Sequence, residues 1–209
     1  MYLVFNIETI TDPSSPSVAS LSEEAMEAPA GWKDPEKIAD RKRENYLKAL
    51  DGTGLQPLTG QIVCIDAVIP TTEADIFFST IAPQPELEML SGFRSFLEGL
   101  DNAVLVTYNG ELFDVPYVIS RMMALNVPIP EILRKAAQKK WDSHIDMFKV
   151  LGKKGKLKEW ALRYGLEPIF GDGSLVQGWY DAGDFGSIKR HCEDNVRVTA
   201  ELLRRYVAS

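Results

Sequence analysis

The sequence predicts an α/β fold in which a mixed central sheet is flanked by helices. Apolar, β-branched runs suited to strands come early, in the order three strands, one helix and one strand, and helix-spaced apolar positions dominate the remainder. The 209 residues are 45% hydrophobic and 25% charged, which is sufficient to bury a core. We therefore predict a single domain over residues 1–209, with an insertion at about 11–60 between the first two strands.

The first strand is predicted at residues 1–9, where apolar side chains alternate between two faces. Residues 11–34 are rich in Pro, Ser, Ala and Gly and are predicted as loop. Asp34 before Pro35 is a helix N-cap signal, and the charged helix that follows is predicted to end near Leu50. We expect this helix to cover one side of a functional cleft or to support a partner.

Two further strands are predicted at residues 61–69 and 75–82, joined by a tight connection that favours an antiparallel hairpin. Helix-spaced apolar positions then predict a helix over residues 86–100. The apolar run at 103–107 is typical of a strand buried on both faces, and we predict that it runs parallel to the first strand. Helices are predicted for the rest, at about 113–125, 130–139, 143–151 and 157–164 and from a Ser187 cap to about Tyr206.

The first strand carries a polar pair, Asn6 and Glu8, on the same face as Val4. A carboxylate within an apolar run is costly unless a partner compensates its charge, and a metal ion is one such partner. Taken alone, the pair is more often bonded to neighbouring backbone. Its interpretation therefore depends on two more polar segments, Thr107–Tyr117 and His191–Thr199.

Together, the three segments resemble the DnaQ-like 3′–5′ exonucleases, most closely the branch similar to the proofreading domain of family B DNA polymerases. In that branch the second motif reads Asn-Gly-x-x-Phe-Asp-x-Pro, which Asn109–Pro116 matches at every position. The third motif reads Tyr-Cys-x-x-Asp-Val-x-x-Thr, which residues 191–199 match except at His191 and Asn195. The resemblance extends in order over nearly the whole chain and implies a ribonuclease H-like fold.

The resemblance implies catalysis by two divalent ions held by four carboxylates, beside a Tyr or His that orients or deprotonates the attacking water. The four ligand positions correspond here to Asn6, Glu8, Asp114 and Asn195, and the Tyr position corresponds to His191. Only Glu8 and Asp114 are acidic. Because an amide cannot supply the negative charge that hard cations prefer, we expect at most one weakly held Mg²⁺ or Mn²⁺ on these two residues.

Helical phase distinguishes Asn195 from the neighbouring Asp194 as the third-motif residue. Asn195 shares with His191 a largely apolar stripe at three- and four-residue spacing, whereas Asp194 lies on a charged stripe. We therefore predict that Asn195 faces inward, unless a local π-bulge rotates Asp194 toward the core. Asp66 and Asp146 are further acids that could replace the missing charge, although Asp146, within Ser143–Asp146, is predicted to be a structural acid beside the site.

The resemblance implies a metal-dependent 3′–5′ exonuclease that acts on or binds single-stranded DNA ends, and the two asparagines predict that hydrolysis is weak or absent. By resemblance, the main-chain groups near Ile7 and Thr9, with Asn109 and Phe113, are the expected contacts of the terminal nucleotide. The alternative is a non-catalytic module of the same fold that binds nucleic acid or a protein through the retained cleft.

The charge distribution concentrates the expected phosphate contacts in one segment. The chain has a net charge of −7, but residues 134–158 hold nine Lys or Arg against two Asp, so this segment carries +7 and the remainder −14. Such a basic zone fits phosphate contact, although a solvated helix surface would show the same charges. We predict that Lys153, Lys154 and Lys156 contact the nucleic-acid backbone.

No apolar run approaches the roughly 20 residues that span a bilayer, and the apolar N-terminal run is too short for a signal peptide. A cytoplasmic protein without membrane association is therefore expected. The resemblance admits a replication or repair protein as a partner, and the sequence does not determine the oligomeric state. Cys64 and Cys192 do not make a disulfide framework and are predicted to be reduced, semi-buried packing residues.

Overall fold

The computed structural model describes residues 1–208, which divide into two compact units. The first unit joins residues 1–8 to the chain from Ile62 onward, and the second comprises residues 9–61. No helix in the described chain is long and apolar enough to cross a membrane.

The strands form a five-stranded mixed sheet. They are β1 (Tyr2–Thr11), β2 (Gly60–Ile69), β3 (Ile76–Ile81), β4 (Val104–Thr107) and β5 (His144–Asp146). In the order β3-β2-β1-β4-β5, β2 and β3 are antiparallel, whereas β4 is parallel to both β1 and β5. The predicted α/β fold, with a mixed sheet whose fourth strand is parallel to the first, is therefore confirmed.

Helices account for most of the remaining regular structure. They are α1 (Pro16–Ala19), α2 (Pro35–Leu50), α3 (Glu86–Glu98), α4 (Asp114–Ala124), α5 (Glu131–Ala136), α6 (Met147–Val150), α7 (Leu157–Arg163), α8 (Val176–Asp181) and α9 (Phe185–Ala208). The long predicted helices α2, α3, α4 and α9 are all present, with ends within a few residues of those predicted.

The two faces of β1 belong to two different apolar clusters, as the alternation of side chains along a strand requires. Leu3, Phe5 and Ile7 are buried together with apolar residues of α3, α4 and α5. Val4, on the opposite face, is buried in a cluster to which α9 contributes five residues. Because Asn6 and Glu8 follow Val4 at two-residue intervals, the strand directs both side chains toward α9.

Two predicted features are wrong. Residues 143–151, predicted as one helix, form the strand β5 followed by the single helical turn α6. Three residues are too few to show strand alternation, and parallel pairing with β4, a tertiary contact, determines their conformation. Helix α9 begins at Phe185, before the predicted cap at Ser187, because Asp184 accepts a hydrogen bond from the Ser187 backbone N–H at 3.1 Å and from its hydroxyl at 2.6 Å.

The second unit contains α1 and α2. As predicted, Asp34 caps α2, and its Oδ1 accepts a hydrogen bond from the backbone N–H of Glu36 at 3.1 Å. The predicted loop at 11–34 contains one unpredicted helical turn, α1. Gly54 lies against the backbone of Ile10, where a Cβ would come within 2.8 Å of the carbonyl carbon, so this close approach requires glycine.

A buried ion pair joins α4, α3 and β2 in the first unit. The Arg121 guanidinium donates to both carboxylate oxygens of Glu86, with the shortest contact at 2.6 Å. Glu86 Oε1 also accepts a hydrogen bond from the backbone N–H of Ile62 at 2.8 Å. Both charged side chains are less than a tenth exposed, so neither can be solvated if its partner is removed.

We predict that Arg121→Met lowers the free energy of unfolding by roughly 3–5 kcal/mol, because the Glu86 carboxylate would stay buried without its cation. The matched control is Arg94→Met, which breaks the more exposed pair with Glu98 and should cost less than about 1 kcal/mol. Urea unfolding of both variants measures the two costs. Equal costs would contradict the prediction.

His144 is buried on β5 and links this strand to β4. Its Nε2 lies 2.8 Å from Thr107 Oγ1, whereas its Nδ1 is buried and has no hydrogen-bond partner within residues 1–208. Burial lowers the pKa of His144, so the folded protein resists protonation of this ring more than the unfolded chain does.

The lowered pKa of His144 predicts a pH-dependent contribution to stability. Below about pH 6.5 the unfolded chain binds a proton at His144, whereas the folded protein does not. The stabilising contribution of the neutral, buried His144 ring is therefore present above about pH 6.5 and is lost as the pH falls below it. The free energy of unfolding of the parent protein, relative to His144→Gln, should therefore decrease from pH 8 to pH 5. Urea titrations at several pH values measure this difference, and a constant value would contradict the prediction.

Candidate active site

The two polar residues of β1 approach α9 at the sheet surface. Glu8 is only 8% exposed, and Asn6 is half-buried. The pKa of Glu8 is raised to about 8, mainly by burial and also by the nearby Asp114 and Asp66 carboxylates, and hydrogen bonds from two asparagines oppose this shift. The carboxyl group of Glu8 therefore lies in an environment that disfavours its negative charge.

Both asparagines at the predicted ligand positions bond to the same atom of Glu8. Asn6 Nδ2 lies 2.9 Å from Glu8 Oε1, and Asn195 Nδ2 on α9 lies 3.1 Å from it. His191 Nε2 lies 3.7 Å from the same oxygen. Two amide N–H groups thus converge on one carboxylate oxygen, at the positions where the resemblance implies carboxylates around metal ions.

Asp114, the other acidic residue of the predicted set, lies at the first position of α4 and is 3% exposed. Its Oδ1 accepts a hydrogen bond from the backbone N–H of Ile7 at 3.1 Å, which ties α4 to β1 between Asn6 and Glu8. Burial raises the pKa of Asp114 to about 7, and the hydrogen bond from Ile7 opposes this shift. The structure thus brings together Asn6, Glu8, Asp114, His191 and Asn195 at one end of β1.

The orientation of His191 is determined by the loop that precedes α8. Its Nδ1 donates a hydrogen bond to the carbonyl oxygen of Phe170 at 2.6 Å, so Nε2 is the nitrogen directed toward Glu8. The ring of Trp179 lies against His191, with 5.9 Å between ring centroids, and Phe170 stacks on Trp179. This arrangement leaves Nε2 of the neutral ring as a hydrogen-bond acceptor facing the site.

Asp194 is directed away from Glu8. Its Oδ2 accepts a hydrogen bond from the backbone N–H of Phe170 at 2.9 Å, and its Oδ1 lies 3.0 Å from the guanidinium of Arg197. Helix α9 continues as an α-helix through this region without a π-bulge. The helical phase predicted this placement of Asp194 relative to Asn195.

The loop between β4 and α4 is held by Asp146, in line with the structural role predicted for this acid. Asp146 Oδ1 accepts from the backbone N–H of Asn109 at 2.7 Å, and its Oδ2 accepts from that of Glu111 at 3.2 Å. Asn109 adopts a left-handed conformation, with φ of 68°, and a Cβ on Gly110 would collide with the Thr107 side chain. Asp146 therefore positions the second motif through its backbone.

The predicted nucleotide contacts have different surroundings. Phe113 is half-buried against Tyr117, with ring centroids 5.3 Å apart, and Asn109 is also half-buried. The backbone N–H of Ile7 is already bonded to Asp114, which leaves the other main-chain groups of this strand end as the expected contacts. Thr9 directly follows Glu8 on β1 and is half-buried.

A cleft of about 240 Å³ lies beside the site and has a basic side. Lys156 and Lys158 line it together with His191 and Asn195, and Asp172 forms ion pairs with both lysines. Lys153 and Lys154 are exposed in the preceding loop and are not among the residues that line this cleft. Of the three predicted backbone contacts, Lys156 is therefore the one that borders the cleft.

The donor set does not fit a pair of divalent ions. Glu8 and Asp114 are the two carboxylates at the implied ligand positions, and the amide groups of Asn6 and Asn195 present N–H donors to Glu8 where a cation would require oxygen ligands. Asp146, considered as a replacement acid, uses both oxygens for backbone N–H groups. The residues present are therefore suited to at most one ion.

Comparison with known protein families gives a match over most of the chain. The family described as "DNA polymerase family B, exonuclease domain" matches residues 5–164. The match includes Asn6, Glu8 and Asp114, and it ends before His191 and Asn195. The assignment of these last two residues therefore rests on the geometry of α9 and on their motif.

Individual proteins with similar sequences are DNA polymerases, which agrees with the family match. The DNA polymerase of Pyrococcus glycovorans is 25% identical over 140 residues, and that of Thermococcus aggregans is 28% identical over 142 residues. Each alignment covers 58% of this chain, but only 18% of the first polymerase and 8% of the second. The chain thus spans less than a fifth of the length of these relatives.

A solved structure shows the same fold. The family B DNA polymerase from the hyperthermophilic archaeon Pyrobaculum calidifontis aligns with 99% of this chain and 24% of its own, with a TM-score of 0.63 and 19% sequence identity. The fold is therefore shared over 99% of the chain, and the family match covers well over half of the chain. The chain belongs to the family of exonuclease domains found in family B DNA polymerases.

Proposed function

We propose that this protein binds the 3′ end of single-stranded DNA in the cleft beside Glu8 and hydrolyses it weakly or not at all. The observation that carries this proposal is the convergence of the Asn6 and Asn195 amides on one oxygen of Glu8. This convergence keeps the site together through hydrogen bonds and leaves no need for metal ions to bridge like charges. The shape of the site is retained, whereas its capacity for metal is reduced.

Charge is the reason for the expected loss of hydrolysis. Exonuclease domains of family B DNA polymerases are metal-dependent, and a two-ion mechanism needs a strongly negative ligand set. Here two carboxylates remain, and burial raises the pKa of both, to about 8 for Glu8 and about 7 for Asp114. We expect at most one weakly held Mg²⁺ or Mn²⁺ on Glu8 and Asp114.

The surroundings of the site favour a nucleic-acid end as the ligand. Lys156 and Lys158 offer ammonium groups to phosphates along one side of the cleft, and Phe113 offers a half-buried ring on which a terminal base could stack. His191 Nε2 is placed to accept a hydrogen bond from a water or a terminal hydroxyl group. DNA is the favoured nucleic acid because the relatives are DNA polymerases.

The second candidate function is a non-catalytic module that binds DNA or a replication or repair protein through the same cleft. The raised pKa of Glu8 favours this function, because a side chain that is largely neutral at pH 7 is a poor ligand for a hard cation.

The organisation of residues 1–209 as one domain with an insertion at 11–60 stays a prediction.

We predict that Asn6→Asp/Asn195→Asp restores hydrolysis of a labelled single-stranded DNA 3′ end in Mg²⁺ or Mn²⁺. The rate should rise by several orders of magnitude, because the two substitutions restore four carboxylates and therefore two-ion binding. Adding Glu8→Gln to the double variant provides the control and should abolish the gain. Comparable cleavage by the parent protein would contradict the expected impairment, and cleavage by neither protein would favour the binding module.

The same variants separate metal binding from catalysis. Without metal, the double variant should unfold at a lower temperature than the parent, because it places carboxylates where two amides now donate to Glu8. Mn²⁺ should raise its Tm, whereas the parent should respond little. An equal response of both proteins to Mn²⁺ would mean that the asparagines do not limit metal binding.

We further predict that Lys153→Glu/Lys154→Glu/Lys156→Glu weakens binding of single-stranded DNA at least tenfold at low salt. Each lost phosphate contact should also reduce the slope of log affinity against log salt by about 0.7. The control is Arg94→Glu/Arg163→Glu/Arg205→Glu, which makes the same charge change at residues of α3, α7 and α9 that do not line the cleft. Fluorescence anisotropy measures both quantities, and equal effects of the two triple variants would support a solvated basic surface.

A further inference from the structure

A second cluster of potential metal ligands lies outside the acidic site. Cys64 and Asp66 are two residues apart on β2, so their side chains project from the same face, where Cys192 of α9 meets them. One ligand atom of each residue lies within 4.8 Å of those of the other two. Both cysteines are fully buried, more deeply than predicted, and Asp66 is 4% exposed. Two thiols and a carboxylate therefore share one small, closed space.

The Asp66 carboxylate is buried beside the side chains of Ser79, Cys64 and Cys192, and these contacts leave one of its oxygens without a hydrogen-bond donor. Its Oδ2 accepts a hydrogen bond from Cys64 Sγ at 3.5 Å, and a thiol is a weak donor. Its Oδ1 is buried and has no hydrogen-bond partner in the chain from residue 1 to 208. The ionised form of such a carboxylate is costly to bury, and a bound cation is one partner that compensates its charge. The unpartnered oxygen is thus a sign, independent of the thiols, that a positive ligand belongs in this cluster.

The spacing of the ligand atoms fits a tetrahedral ion. With zinc–sulfur distances of about 2.3 Å and zinc–oxygen distances of about 2.1 Å, a tetrahedral site separates a sulfur from an oxygen ligand by about 3.6 Å. The distance from Cys64 Sγ to Asp66 Oδ2 is 3.5 Å. Because the ligand atoms all lie within 4.8 Å of one another, shifts of about 1 Å or less would complete the arrangement.

Asn6 supplies both a further ligand and a supporting hydrogen bond. Its main-chain oxygen lies 3.5 Å from Cys192 Sγ, where it could provide a fourth ligand. Its side-chain Nδ2 lies 3.3 Å from the same sulfur, and an N–H donor to sulfur stabilises a thiolate ligand. An aspartate at position 6 would instead bring a carboxylate close to that sulfur. The asparagine is therefore compatible with an anionic, metal-bound thiolate in a way that the family's aspartate is not.

We propose that Cys64, Asp66 and Cys192 bind one borderline or soft divalent ion, with zinc the best match, as a structural centre that joins β2 to α9. Two thiolates and one carboxylate are ligands suited to zinc and less suited to Mg²⁺ or Ca²⁺. Binding forms two metal–sulfur bonds and releases the two thiol protons to solvent. The centre lies beneath the acidic site and shares Asn6 with it, but it does not use Glu8 or Asp114.

Cobalt titration of the reduced 209-residue chain tests this proposal. Co²⁺ in a tetrahedral site with thiolates gives an intense thiolate-to-cobalt absorption band and strong visible bands, which oxygen ligands alone do not produce. We expect saturation at one ion per chain and displacement by Zn²⁺. A hundredfold excess of zinc over Kd should raise Tm by roughly 5–10 °C.

Variants assign the ion to one site or the other. Cys64→Ala and Cys192→Ala should each abolish the thiolate band, and Asp66→Asn should weaken binding, whereas Glu8→Gln/Asp114→Asn should leave the band unchanged. Failure of the reduced parent protein to bind cobalt would overturn the proposal without any variant. Binding without a thiolate band, or a band that survives in Cys64→Ala, would also overturn it.

Discussion

The site depends on the environment of one carboxylate oxygen, Glu8 Oε1. Burial raises the pKa of Glu8, and the amides of Asn6 and Asn195 are the hydrogen-bond donors that compensate for the lost water. A four-carboxylate site of the kind implied by the resemblance concentrates like charges and needs cations to hold it together. Here the amide groups of Asn6 and Asn195 hold the site together by hydrogen bonds, where a four-carboxylate site needs cations. On the proposed function, the same contacts preserve the geometry of the site and reduce its affinity for metal.

A single interface, between α9 and the sheet, creates both candidate sites. Side chains alternate along β1 and β2, so the face that α9 covers carries Asn6, Glu8, Cys64 and Asp66. Helix α9 presents three residues to this face within about one turn, namely His191, Cys192 and Asn195. Asn6 donates to both Glu8 and Cys192, so the acidic site and the thiol cluster share one residue. A change at position 6 would therefore alter the hydrogen bonding of both Glu8 and Cys192.

Residues outside the site keep its parts in register. Asp146 holds the backbone of the second motif, and the buried pair of Arg121 and Glu86 fastens α4 and α3 to β2. Because Asp114 is the first residue of α4 and also bonds to β1, displacement of this helix would move a site carboxylate directly. The geometry around Glu8 is thus supported by buried polar contacts in which each charged group has a specific partner.

The sequence by itself determined the fold class and the long elements, and it predicted which residues form the candidate site. Periodicity was sufficient for β1, β2, α3 and α9, because these elements are long enough to show alternation or helical spacing. Helical phase also distinguished Asn195 from Asp194. The tertiary structure alone decided that residues 144–146 form a strand, because three residues acquire that conformation by pairing with β4. It also decided that both asparagines bond to one oxygen, that Asp146 supports a loop, and that two cysteines 128 positions apart meet Asp66. These contacts join residues that are distant in the chain, and a local sequence pattern does not indicate which distant residues come into contact.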